Sequence, residues 1–147
     1  MIDAACLEVL NVSNIKVEEK GRKAVFKNPE RKDHSKIRMD GCVVKNSTSA
    51  DFVVAKTGVG VIIVELKGAH IEHAADQCDA TARHLKSLNY PAKPLAGLIV
   101  GTGYPKASAS IQKKQDAFYK NHKGPLHVVT KNAEYVFERV LAADGPF

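Results

Sequence analysis

The chain has no tryptophan, and Phe and Tyr together make up only 6% of it. That scarcity argues against an aromatic platform for reading unstacked bases, and leaves phosphate contacts as the way such a chain would hold nucleic acid. Cysteine is sparse as well: Cys6, Cys42 and Cys78 are odd in number, widely spaced and without a C-x-x-C pair. This pattern indicates neither a disulfide framework nor a zinc ribbon, and an intracellular, cytoplasmic setting is expected from it. No apolar run approaches the ~20 residues of a membrane span, so no membrane association is expected. Residues 1–10 include Asp3 and Glu8 and lack the basic start of a secretory signal.

What is present suits one domain over residues 1–147, long enough for a proper core and short for two. Hydrophobic residues make up 44% and charged residues 26%, as in ordinary globular proteins. The formal charge of +6 favours an anionic partner, with nucleic acid first among candidates and DNA ahead of RNA.

The informative stretch is residues 51–67. It reads as two strands joined at Thr57-Gly58, the second β-branched and almost wholly apolar from Val59 to Leu66, as in a strand covered on both faces. Alternation places Glu65 and Lys67 on one face and Ile62, Val64 and Leu66 on the other. A carboxylate and an ammonium ending a buried strand are costly to desolvate and call for a partner, a metal or a chemical role. Glu-x-Lys occurs three times in the chain, at Glu18, Glu30 and Glu65. Only the third closes an apolar strand, has an acid (Asp51) at the head of the preceding strand and leads into an amphipathic helix.

Around this stretch, residues 2–10 have helical spacing. Residues 15–18 and 24–27 read as strands about Lys20-Gly21, and residues 36–45 as a further strand with Asp40 beside Gly41 in an unusual mid-strand position. A helix is expected over residues 69–88, packed through Ile71, Ala74, Ala75, Cys78, Ala82 and Leu85. Beside that stripe runs a polar one: His70, His73, Gln77, Thr81 and His84. Residues 95–101 form the next strand, parallel through the crossover. Ser108 or Ser110 caps a helix over residues 111–122, whose N-terminus, with Lys106, Lys113 and Lys114, is a ready anion site. A strand at 125–129 and a helix at 133–141, capped by Asn132, close the chain. Basic residues around Arg22 and Arg31 offer a second place for phosphate.

The arrangement of Asp51, Glu65 and Lys67 resembles the PD-(D/E)XK nuclease superfamily, over roughly residues 36–101, with Ala50 where the name-giving proline would stand. The resemblance implies a restriction-endonuclease-like α/β fold: a mixed central sheet flanked by helices, an αβββαβ core followed by αβα. It implies a Mg²⁺-dependent phosphodiester hydrolase, with Mn²⁺ able to substitute, in which Asp51, Glu65 and the Leu66 carbonyl hold the metal and Lys67 positions or polarises water. Gln77 matches the helix glutamine of the RecB-like branch. His73 and Asp40 are additional candidates near the site, and Glu8 corresponds to the extra carboxylate that a leading helix often brings. The alternative is a non-catalytic or partner-dependent nucleic-acid or protein-binding module with the same fold. The absence of a separate target-recognition segment suits a structure-selective enzyme, or a subunit of a homodimer or larger complex.

Overall fold

The computed structural model describes residues 2–66, 70–101 and 108–147. A 3₁₀ turn, Ala4–Cys6, leads into β1 (Leu7–Leu10), and the hairpin β2 (Asn14–Glu19) and β3 (Arg22–Lys27) follows. Then come β4 (His34–Arg38), β5 (Phe52–Lys56), β6 (Gly60–Leu66), α1 (Ile71–Ser87), β7 (Leu95–Val100) and α2 (Ala109–His122). The chain closes with β8 (Leu126–Val129), β9 (Ala133–Tyr135) and α3 (Phe137–Leu141). The protein is thus α/β, with a mixed main sheet in the order β1-β4-β5-β6-β7-β8 and a smaller sheet β2-β3-β9. Strands β4, β5 and β6 form an antiparallel meander, and β7 and β8 add in parallel, as the crossover through α1 requires.

The all-apolar pattern of β6 is explained by cover on both faces. Ile62, Val64 and Leu66 meet Ile15, Val17, Ala24 and Phe26 of the small sheet, together with Phe137 and Val140. On the other face, Val61 and Ile63 meet Ala74, Cys78 and Leu85 of α1 and Phe118 of α2. The expected stripe of α1 is buried from Ala74 to Leu85, with Thr81 added to it and Ile71 half-buried.

Several expectations give way. Residues 2–10 form a turn and an edge strand, not a helix: Leu7 to Leu10 pair with β4, and ladder bonds there outweigh a weak helical spacing. Strand β4 ends at Arg38, and residues 39–44 fold into a turn closed by Val44 N–H to Met39 C=O (2.9 Å) and Gly41 N–H to Val44 C=O (2.9 Å). Gly41 has a φ of 77° there, so Asp40 sits in a turn and not mid-strand. Cys42 in this turn is disulfide-bonded to Cys6, a pairing that the cysteine pattern did not indicate, and the cysteine-based argument for a cytoplasmic setting falls with it. The expected closing helix begins only at Phe137, because residues 133–135 pair in parallel with β3. No helix among the described residues is long and apolar enough to cross a membrane.

Candidate active site

Asp51 and Glu65 stand opposite each other where the β5–β6 ladder ends. Phe52 pairs with Val64, so the next residues outward face one another on the α1 side of the sheet, on the same side as Val53 and Ile63. Main-chain ladder bonds give way here to carboxylate bonds: Asp51 N–H donates to Glu65 Oε1 at 3.0 Å, and Leu66 N–H donates to Asp51 Oδ2 at 2.9 Å. Glu65 is 2% exposed. Like charges directly opposite in an antiparallel pair repel, and burial removes the water that would screen them.

The electrostatics follow from this placement. Burial pushes the Asp51 carboxyl above the ordinary aspartate range, against the opposing effects of the Leu66 N–H and of a hydrogen bond with the Glu65 side chain. The negative charges of Glu19 and Asp40 add to the upward push. Under the pair lies Cys78 of α1, whose thiol is driven well up, first by burial and then by Glu65 and Asp51, so it is an inert core group. Asp51 thus feels negative charge from Glu19, which is itself paired to Arg38 at 3.3 Å, and from Asp40.

The segment entering β5 is clamped by α1. Thr81, fully buried, accepts a hydrogen bond from Ala50 N–H at 2.7 Å, and Gln77 Nε2 donates to Ser49 C=O at 3.1 Å. Gln77 Oε1 and Ser49 Oγ are buried without a hydrogen-bond partner among the described residues. Gln77 thus touches the backbone two residues before Asp51. His73, in the first turn of α1, and His70, which precedes the helix, are exposed.

The remaining candidates separate. Glu8 is corrected: on β1 it pairs with Lys36, whose other neighbour is Val54, so it points to the face opposite Asp51 and Glu65. There it lines a groove of about 280 Å³ with Lys36, Arg38 and Phe52. Ser108 caps α2, its Oγ accepting from Ile111 N–H at 3.1 Å. Lys114 is bound to Asp76 at 2.7 Å, whereas Lys113 is exposed and makes no ion pair among the described residues. Arg22 stands at the hairpin tip near Glu19, at the site end of the sheet, but Arg31 lies just before β4, by the His34–Lys56 pairing at the other end. Lys67 and Lys106 lie outside the described residues.

Sequence reasoning missed Glu19 and the positioning role of Thr81. Thr81 had a signal, its place on the polar stripe of α1. Glu19 had none, because it reaches the site only through packing of the small sheet on the large one.

Among the described residues no three His, Cys, Asp or Glu side chains group to hold a metal. What these residues offer a cation is two opposed carboxyls, those of Asp51 and Glu65. No protein-family model, curated protein or solved structure matches the chain.

Proposed function

We propose that the protein is a Mg²⁺-dependent nuclease with a restriction-endonuclease-like core, hydrolysing phosphodiester bonds in nucleic acid, with DNA the first substrate to test. The observation that carries the reading is the Asp51–Glu65 pair: two carboxyls opposed at a strand end, with Asp51 held above its ordinary range and Glu19 and Asp40 adding negative charge. Bound there, Mg²⁺ supplies Lewis-acid stabilisation of the charge that grows on phosphate oxygens. Asp51 and Glu65, with the Leu66 carbonyl, would hold the ion. Lys67, outside the described residues, is the residue that the resemblance assigns to positioning or polarising the attacking water. Thr81 and Gln77 keep the Ser49–Asp51 backbone fixed, so the carboxylate is aimed before substrate arrives. The N-termini of α1 and α2 follow the C-terminal ends of β6 and β7 and bring their positive poles to the same end of the sheet.

The second reading, a nucleic-acid-binding module without catalysis, is favoured by one feature. The Asp51–Leu66 and Glu65–Asp51 bonds also serve as a latch closing the ladder. Cleavage of linear, nicked, branched and single-stranded DNA and of RNA, in Mg²⁺, Mn²⁺ or EDTA, separates the two. The nuclease reading expects metal-dependent cutting by wild type, lost in Asp51→Asn and in Lys67→Ala, with Lys67→Ala keeping nucleic-acid affinity within a few fold. Cutting that survives in both variants contradicts it, and binding without cutting by wild type moves the assignment to the module.

A further inference from the structure

We propose that the tip of the β2–β3 hairpin, with the loop after β8, forms a phosphate-binding wall at the Asp51–Glu65 end of the main sheet, on the face opposite the acid pair, that grips the backbone of duplex DNA. This rests on the nucleic-acid reading of the site. Lys20 and Gly21 form the tip with φ of 51° and 80°, the positive values that a tight hairpin connection needs. Asn132, expected to cap a helix, instead holds the tip: its Oδ1 accepts from Lys23 N–H at 2.9 Å and its Nδ2 donates to Gly21 C=O at 3.5 Å. The tip is tied to the main sheet by Arg38 and Glu19 (3.3 Å), and Arg38 pairs with Phe52, the neighbour of Asp51.

Among the described residues, the basic side chains at this place have no ion-pair partner. Lys20, Lys23 and Lys131 are exposed, Arg22 is half-buried, and none makes an ion pair among the described residues. Their cross-strand neighbours are acids, since Glu18 stands opposite Lys23 and Glu19 opposite Arg22. Those acids are turned elsewhere, Glu18 to Lys16 (3.7 Å) and Glu19 to Arg38 (3.3 Å). Four cations crowded on a tip repel one another unless an anion lies between them, and a row of phosphates supplies that charge. Arg22 shares the hairpin side of Val17 and Ala24 that faces the main sheet, while Lys23 lies on the outer side, so backbone is met from two directions. The helix N-termini lie across the main sheet from the hairpin, on the face of the acid pair.

The test is fluorescence anisotropy of the full chain with a labelled DNA duplex in EDTA, from about 50 to 200 mM salt. The variants are Lys20→Ala/Lys23→Ala/Lys131→Ala and, as control, Lys86→Ala/Lys93→Ala at the far end of the sheet. The wall predicts that the triple variant loses about two to three units of the salt slope, at roughly 0.9 per phosphate, with an unchanged melting temperature, while the control keeps the wild-type slope. An unchanged slope in the triple variant, or an equal loss in the control, overturns the wall and leaves the nuclease reading standing. No binding of duplex by wild type at the lowest salt overturns the nucleic-acid reading together with the wall.

Discussion

At the scale of single residues, the chemistry turns on two acids facing one another and on the groups that hold them there. The alternation of residues 59–66 sufficed to separate Glu65 from Ile62, Val64 and Leu66, because a buried strand leaves its side chains only two directions. Alternation does not report what lies behind a strand, so the clamp from Thr81 and Gln77 became visible only in three dimensions. Thr81→Val removes the acceptor of a buried N–H at Ala50, and the expected cost is about 1–3 kcal/mol, with Thr81→Ser recovering most of it. A melt of the three proteins measures this at about 2–4 °C per kcal/mol. Gln77→Ala breaks one partly buried bond, about 0.5–1.5 kcal/mol, and is expected to reduce cleavage more than stability. Equal losses in both would make Gln77 a structural brace alone.

At the scale of elements, local signals identified the hairpin, β5, β6, α1, β7, α2 and β8, each marked by its own turn, cap or periodicity. What escaped was held by distant partners. Residues 7–10 extend because β4 is beside them, residues 133–135 because β3 is, and Cys6 meets Cys42 across 36 residues, a pairing that no spacing announces. The disulfide ties the start of β1 to the turn that carries Asp40, and Met39 of that turn donates to Asp51 C=O at 2.9 Å. Reduction, or Cys42→Ser, is therefore expected to lower stability by about 2–4 kcal/mol in denaturant melts. On α2, the pairing of Lys114 with Asp76 divides two lysines that look equivalent in sequence. Lys113→Ala is expected to lower the DNA salt slope by about one unit and Lys114→Ala to leave it nearly unchanged, and the reverse order would show that the Asp76 pair opens on binding.

For the molecule as a whole, the two sheets and the helix layer bring separate parts of the chain to one end: the acid pair, the Asp40 turn, the hairpin tip and two helix starts. Stability and function are expected to respond oppositely to charge. His34 and His127 are buried, and desolvation lowers both below the ordinary value of 6.5. The unfolded chain then binds protons more readily than the folded one, so stability is expected to fall as pH drops through 6.5 toward their folded values. Asp51 runs the other way. Its raised folded value means that the metal-free protein loses stability as pH rises from 3.8 toward that value, and a metal bound to the ionised pair gives it back. Asn in place of Asp51 retains an acceptor for Leu66 N–H and removes the charge. The most direct measurement is the melting temperature at neutral pH of wild type and Asp51→Asn, each in EDTA and in Mg²⁺. If the acid pair is a metal site, Asp51→Asn melts higher than wild type in EDTA and ignores Mg²⁺, while wild type rises with Mg²⁺. A lower melting temperature for Asp51→Asn in EDTA, with wild type indifferent to Mg²⁺, would show the pair to be a structural latch and contradict the account.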